Sequence, residues 1–594
     1  VFTELNDNQI QAKIDFITNY LKSNNAADGS FVDANANVTQ KNIATLEAEL
    51  HKDINIQINR MRIKQRIEQL YDRDTAEQYI TDINNHYVYC HDSTRLAPYC
   101  VSVTMYPLLL DGLTGLGGES KAPKHLASFC GTFVNFIFAT SAQFAGAVAT
   151  VEFLMYFDYY ARKDFGDNYL DTHRVEIQNH LQHVVYAINQ PAAARGYQSC
   201  FWNISCYDEP YFESMFGDFV FPDGEKADKL SVMKLQQFFL TWFNEERTKS
   251  VLTFPVVTCA VLSKDGTPSD KRFADEIAEQ LANGNSFFIY MSESADALAS
   301  CCRLRNSIEK NPFSFSLGAG GVATGSIQVI TLNVNRIIQD AIDVVEVVRR
   351  VHKYQHAYRT LIDDLKSAGM LTVYDAGFIT LDKQYLTVGL NGVLEAAEFL
   401  NMKPTIQDPN YQLWLADMLE RIADENKEFK KRTGYMANTE IVPAENLGIK
   451  NYDWDKKAGY VVPENRNCYN SYFYAVEDDA VSLVDKFVLH GKPVIDKLDG
   501  GSALHANLDS HLPKDGYLAL LDLAAKAGTN YFCFNVRSTL CIDCGHISKD
   551  TLDHCEKCGS EKVDHLTRII GYLKRIAFWS AGRRKEHVKR HYHD

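Results

Sequence analysis

Apolar and polar positions alternate along this chain on two scales. Val251–Leu262 (VLTFPVVTCAVL), Ser286–Met291 (SFFIYM) and Ile327–Val334 (IQVITLNV) are short runs, apolar on both faces and rich in β-branched and aromatic residues. That is the pattern of strands buried inside a parallel sheet. Longer stretches with helical spacing lie between them, and Arg336–Ala368 reads as one long helix with interleaved charges. Residues 1 to about 84 are polar with apolar positions at helical spacing, as in Asn42–Arg66. From about 85 to about 530 the alternation predicts an α/β domain with a parallel sheet, open or closed. Phe133–Phe157 is apolar apart from Asn135, Gln143, Glu152 and a few hydroxyls, long enough to span a bilayer. Gln143 and Glu152 would be costly in lipid and no basic loop flanks the segment, so it is expected as a helix buried in a large core. No internal repeat or low-complexity tract is present.

Composition narrows the class. Of 594 residues, 46% are apolar and 23% charged, with 61 Lys+Arg against 76 Asp+Glu and a net charge of −15. These values exclude a disordered chain, a collagen-like rod and a small disulfide scaffold. At about 150 residues per domain the length suggests roughly four domains, although large barrels break that arithmetic. The acidic balance argues against passive binding to nucleic acid or an anionic membrane. Val1–Leu21 lacks a basic segment followed by an apolar run, so a cytoplasmic location is expected. The 14 cysteines are then reduced, metal-bound or catalytic.

Three segments carry chemistry. Cys541-x2-Cys544 and Cys555-x2-Cys558, ten residues apart, can place four thiolates around one tetrahedral Zn²⁺. Gly545 and Gly559 follow the second cysteine of each pair and let the backbone turn under the metal. With no open position, the site is expected to be structural. Next, Cys301 and Cys302 are adjacent, which strains a disulfide between them, and a buried free cysteine is the default reading. After them come SLGAGGVATGS (Ser316–Ser326) and a buried strand. Gly318, Gly320 and Ala323 superficially fit a dinucleotide fingerprint, but here the loop precedes the strand, so it is discounted. Finally, Arg568–His593 by itself reads as a basic, solvated amphipathic segment.

Together these segments resemble the large subunit of the class III, anaerobic ribonucleoside-triphosphate reductases. The tail is similar to that family's glycyl-radical motif through Arg568, Gly571, Tyr572, Leu573, Gly582, Arg583 and Glu586. Further matches are Tyr89–Asp92, Ala97–Ser102 (APYCVS), Cys301–Arg305 (CCRLR), Gly325–Asn333, Arg432–Lys450 and Gly500–Leu508, in the family's order, with the zinc cysteines just before the radical glycine. The resemblance implies a ten-stranded α/β barrel of two parallel five-stranded halves (85–534), a helical N-terminal region (1–84), a zinc ribbon (535–565) and a glycyl-radical loop with a C-terminal tail (566–594). It implies reduction of ribonucleoside triphosphates by a radical stored on Gly571 and passed to Cys302, which directly precedes Arg303 as the family's thiyl cysteine precedes its arginine. Cys100 matches the second cysteine, on the opposite face of the substrate, acting at C2′. Glycine suits the radical because its Cα flattens and delocalises into both peptide groups, and because only glycine tolerates an unusual backbone.

Two departures point to a branch. Formate-using members carry Asn immediately before the strand ending in TLN, where this chain has Ser326; and Glu440, in NTE, stands where those members lack a carboxylate. A carboxylate near the ribose 3′-OH can act as general base. A thioredoxin- or glutaredoxin-type reductant is therefore expected. Pro443, Ala444 and Glu445, followed by Asn446, are expected to open a helix whose free N–H groups hold the substrate phosphates. The resemblance also implies a homodimer, dNTP/ATP effectors, and a separate activase using S-adenosylmethionine and an iron–sulfur cluster, since this chain has no CxxxCxxC motif. The N-terminal region shows no clear nucleotide-binding cone of the kind many members carry. Two rival readings stay open: another glycyl-radical enzyme, of the formate-lyase or dehydratase type, and a non-enzymatic zinc-ribbon binding protein.

Overall fold

The computed structural model describes residues 4–30, 38, 40–192, 198–295, 297–300, 304–307, 322–442, 446–569 and 571–594. Twelve strands among the described residues form its central sheet. Ten make up its main path and are numbered here in chain order: β1 Cys100–Ser102, β2 Val148–Ala149, β3 Trp202–Tyr207, β4 Val256–Lys264, β5 Phe288–Ser292, β6 Thr324–Asn333, β7 Gln384–Asn391, β8 Met436–Ile441, β9 Leu504–Asn507 and β10 Tyr531–Asn535. The other two, Val88–Cys90 and Thr267–Pro268, pair antiparallel with β6 and β4. β1 to β5 pair in parallel in that order. β6, β7 and β8 are parallel to one another, as are β9 and β10. Glu440 of β8 bridges in parallel to Gly501 ahead of β9, with the Gly500 N–H on Thr439 O at 2.8 Å and the Ile441 N–H on Gly501 O at 3.2 Å. That bridge completes a second parallel set of five. The two sets meet at antiparallel seams, β1 on β6 and β5 on β10, so the sheet closes into the expected barrel.

Helices cover its outer face, and local chemistry sets their ends. Asp408 caps the helix Pro409–Thr433 through the Asn410 N–H, Pro409 occupies the first turn, and Gly434 ends the helix at φ 79°, two residues before β8. Asn333 ends β6 and caps the next helix through the Arg336 N–H, while its amide donates to Asp455 at 3.0 Å. The N-terminal region is helical (Asp7–Lys22, Ile43–Leu50, Lys52–Leu70, Arg73–Asn84). It is tied to the barrel helix Val344–Ser367 by buried Asp82, which accepts from Arg350 at 2.9 Å and Tyr354 at 2.7 Å.

Two sequence expectations change. The long helix from Arg336 is two, Val334–Gln339 and Val344–Ser367, separated where Ala341 takes φ 55° and Asp343 caps the second. The Phe133–Phe157 segment is the end of the helix Leu126–Ser141, then β2, then the start of the helix Phe153–Phe165. Its polar residues break the helix: Gln143 turns out to Thr372 and the Val373 N–H, and buried Glu152 accepts the Met105 N–H at 2.7 Å. Among the described residues no helix is long and apolar enough to cross a membrane.

The seam at β1 depends on Gly325. A Cβ there would drive into Cys100 O and crowd the Gln384 amide. Gly325→Ala is expected to destabilise the fold by about 1–3 kcal/mol, as overpacking against a fixed backbone does; a thermal melt of the reduced protein checks this.

Candidate active site

Strand alternation decides which residues line the barrel. Thr439 Oγ1 accepts from Asn426 on the helix outside, so its neighbours Asn438 and Glu440 point inward. Across β7 their register partners are Thr387 and Gly389, and across the seam Ser326 pairs with Cys100. The inner wall at this end is therefore polar: Cys100, Ser102, Ser326, Thr387, Asn438 and Glu440 are all buried.

Each predicted residue takes a definite place where it is described. The Cys100 sulfur accepts the Ala147 N–H at 3.3 Å and lies so close to Gly146 that a Cβ there would strike it. Ser326 is the third residue of β6 rather than ahead of it, as TG from the glycine-rich stretch joins the strand. Its hydroxyl shares a 2.8 Å hydrogen bond with Thr387 Oγ1 at a register shift in the strand. Glu440 is 6% exposed and has glycines for both cross-strand neighbours, Gly389 and Gly501, which leaves room around the carboxylate. Cys302, Pro443, Ala444 and Glu445 lie outside the described residues; the helix that follows runs Leu447–Ala458, after Asn446.

Gly571 lies at the tip of a β-hairpin. Val563–Arg568 pairs antiparallel with Leu573–Arg575, and the Ile569 N–H on Tyr572 O closes the turn at 3.2 Å. The hairpin is the edge of a four-stranded antiparallel sheet with Ser538–Cys541 and Ile547–Ser548, the sheet that carries the cysteine pairs. Tyr572 turns the tip toward the barrel: its ring centroid is 5.4 Å from that of Phe201, which packs against Cys100. The hairpin with Gly571 is thereby joined to Cys100 through two aromatic rings.

Gly571 has open space beside it: a Cβ there would meet nothing within 4 Å among the described residues. Its carbonyl accepts from Arg568 at 3.0 Å. Arg590 donates to two earlier carbonyls of the hairpin, Arg568 O at 2.8 Å and Ile569 O at 3.0 Å, and is itself gripped by Glu586 at 2.9 and 3.0 Å.

The tail is not a solvated helix either. It docks along the barrel, with His593 bridging to Leu508, Ser580 donating to Asn446 at 2.8 Å and Trp579 fully buried. Glu586 is held below the usual carboxylate range by Arg590 and Arg583, against the opposing effect of burial. Sequence reading missed Arg590; its only signal was the basic run, whose charges the fold turns inward.

The four cysteine sulfurs lie within 4.8 Å of one another, with Cys541 to Cys558 and Cys544 to Cys555 each 3.6 Å apart. Zn–S bonds of about 2.3 Å require tetrahedral edges of about 3.8 Å, so the set fits one such ion. The two knuckles match: Gly545 N–H to Cys541 O at 3.0 Å, Gly559 N–H to Cys555 O at 2.8 Å, and φ 72° at each glycine.

Gly571→Ala is expected to leave the melting temperature within about 1–2 °C of the parent, as a half-buried substitution that meets no described atom and costs about 0.5 kcal/mol does in a large chain. Cys558→Ser is expected to break the four-thiolate set and loosen the hairpin, read as faster hydrogen exchange across 563–575.

Comparison with known proteins follows the same lines. A family model described as anaerobic ribonucleoside-triphosphate reductase matches residues 47–593. Among solved structures, an anaerobic ribonucleotide reductase superposes with TM-score 0.84 at 26% identity, covering 99% of this chain and 93% of its own. The Thermotoga maritima enzyme with dATP in its specificity site gives 0.80 at 25%, covering 97% and 100%. The same enzyme with dATP and CTP gives 0.80 at 26%, covering 97% and 99%. No curated protein sequence matches. A family match across all but the two ends of the chain, on a barrel of the same architecture, means that the chain belongs to the anaerobic ribonucleoside-triphosphate reductases, oxidoreductases that reduce ribonucleotides.

Proposed function

We propose that Gly571 stores the radical and that the ribose is reduced inside the barrel between Cys302 and Cys100. The observation that carries this reading is a set of orphaned polar atoms on the inner wall. Both side-chain atoms of Asn438, which is fully buried, and the Ser102 hydroxyl have no hydrogen-bond partner among the described residues. Each such group costs about 1–3 kcal/mol unless something fills it, and a polyhydroxylated sugar is suited to do so.

The residues then divide the work. The Gly571 radical takes a hydrogen atom from the Cys302 thiol, and the resulting thiyl takes H3′ from the ribose. Glu440 accepts the 3′-OH proton, and Cys100 delivers hydrogen at C2′ as water leaves. Ser326 shapes the wall through Thr387, and Pro443, Ala444 and Glu445 hold the triphosphate ahead of the helix at Leu447. The two electrons consumed come from a thioredoxin- or glutaredoxin-type protein, a reading supported by Glu440 and by Ser326 in place of Asn. Arg568 supports the stored radical by donating to the Gly571 carbonyl, into which the unpaired electron delocalises.

Zinc is the ion suited to Cys541, Cys544, Cys555 and Cys558, and when bound it braces the sheet whose edge presents Gly571. The activase, with its S-adenosylmethionine and iron–sulfur cluster, is a separate protein. dATP lies in the specificity site of the Thermotoga maritima relative, and a comparable effector site on a homodimer is proposed here. The division at 84, 534 and 565 is likewise proposed, as is a cytoplasmic location.

The test is anaerobic incubation with a cognate activase and S-adenosylmethionine, followed by EPR and product analysis. A glycyl doublet is expected, absent in Gly571→Ala; a doublet surviving that change would overturn the assignment. Cys100→Ser is expected to keep the doublet and yield no deoxyribonucleotide. Glu440→Gln should lower kcat by about 10²–10⁴, the usual worth of a general base, with KM little changed. Dehydration products in place of deoxyribonucleotides would favour the rival glycyl-radical chemistry.

A further inference from the structure

Beside the Gly571 hairpin, the cysteine-bearing sheet meets the barrel around a small cavity. Arg247, Ser286, His511 and Lys549 line it together with Leu573, two residues past Gly571, and no Asp or Glu is among its lining residues. Arg247 and Lys549 come from different sides, the first from the barrel and the second from the cysteine-bearing sheet.

The charge around this cavity is unbalanced. Arg247 donates to Ser286 O at 2.7 Å and to Asn285 Oδ1 at 3.3 Å, and its Nε is buried without a partner. Arg568, 2% exposed, donates to Ser286 Oγ at 3.1 Å and to the Gly571 carbonyl, and its Nε is also unpartnered. Neither guanidinium feels a carboxylate. Burial and then Arg568 push Arg247 down to about 9, and burial also lowers Arg568. Lys549 spends one proton on Asn283 O at 3.0 Å and is lowered by burial, with Glu245 and Asp550 opposing only in part. Arg568 is buried and Arg247 and Lys549 are half-buried, and the guanidiniums of Arg247 and Arg568 lie over the rings of Phe243 and Phe288 at 4.2 and 4.5 Å. Rings offset such charges only in part, so an anion between the three cations would be favoured.

The polar groups also say what kind of anion. Ser286 accepts from Arg568, so its own hydroxyl proton is left to donate. His511 hydrogen-bonds the Lys549 carbonyl through Nε2 at 3.1 Å, which makes that nitrogen the N–H, and its Nδ1 is buried without a partner. A neutral Nδ1 accepts a hydrogen bond. A ligand suited to the cavity offers several anionic oxygens to Arg247, Lys549 and Ser286, and an O–H where His511 Nδ1 is the acceptor. Hydrogen phosphate does both, whereas sulfate, chloride and a carboxylate offer no donor.

We propose that this cavity is a phosphate site that cross-links the cysteine-bearing sheet to the barrel beside the radical hairpin. The phosphate is either free or the terminal group of a small phosphomonoester. It is separate from the place where the substrate triphosphate is held.

The test is calorimetric titration of inorganic phosphate into the full, metal-loaded chain. A ribonucleoside triphosphate at saturation keeps the substrate site filled. One saturable site per chain is expected, with formate, chloride and sulfate binding at least tenfold more weakly. Arg247→Gln and Lys549→Gln should each weaken phosphate at least tenfold, and Ser286→Ala, which leaves all cations in place, severalfold. Phosphate should also slow hydrogen exchange across 538–549 and 563–575 in the parent and not in Arg247→Gln. A nucleoside monophosphate titrated in parallel distinguishes the sources: tighter uptake through the same residues assigns a phosphomonoester, weaker uptake free phosphate. Absence of saturable binding, or binding undiminished in both cation variants, would overturn the proposal.

Discussion

The antiparallel seam that sets Cys100 beside Ser326 is the constraint on which the rest of this molecule depends. The two parallel half-sheets run in opposite directions here, so the strands where they meet pair antiparallel. Turning β1 against β6, and β5 against β10, closes the ring. The first seam is made possible by glycine at 325, where a side chain would occupy the space of the Cys100 carbonyl. The same pairing delivers Cys100 to the inner wall next to the strands that carry Ser326, Thr387, Asn438 and Glu440. Barrel closure and site assembly are thus one event.

The second constraint is outside the barrel. A reactive Cα must be presented to the interior and held still, yet the backbone around it has no side chain of its own to pack. The chain solves this with neighbours. The hairpin belongs to a sheet that four clustered cysteines can pin, Tyr572 reaches Phe201 and through it Cys100, and Arg568 and Arg590 hold three consecutive described carbonyls, at 568, 569 and 571. Glu586 keeps Arg590 paired, so the clamp does not leave an isolated charge inside. The basic tail, which in sequence looks like a solvated helix, is in fact the strap that holds the hairpin against the barrel.

Burial of polar groups follows a consistent logic. Structural ones are satisfied, as Asp82, Asp455 and Glu152 are by their arginine, tyrosine and backbone donors. Unpartnered polar atoms are spread through the interior, and among them are Asn438 and Ser102 on the inner wall and Arg247 and His511 at the cationic cavity. An unmet buried group costs more than a met one gains, so at these two places a ligand has groups to complete.

Much was legible from residues alone. The cysteine spacing specified the four-thiolate cluster because two CxxC turns followed by glycine have essentially one geometry. Buried strands near 256–262, 288–291 and 327–333 were visible because both faces are apolar, and the ordered motifs led to the right family. Other features were hidden because they arise from pairs far apart in the chain. The break at Ala341 and the division of the segment around Gln143 depend on where tertiary partners wait. The bridge from Gly571 to Cys100 depends on Phe201 and Tyr572, 371 positions apart. At position 571 sequence alone suggested backbone freedom, and the fold adds that a side chain there would meet nothing within 4 Å among the described residues. Local sequence determines turns, caps and ligand spacing, since these act over a few residues; which charges are buried, which carbonyls are clamped and which polar atoms are left for a ligand was decided only when the two half-barrels and the tail came together.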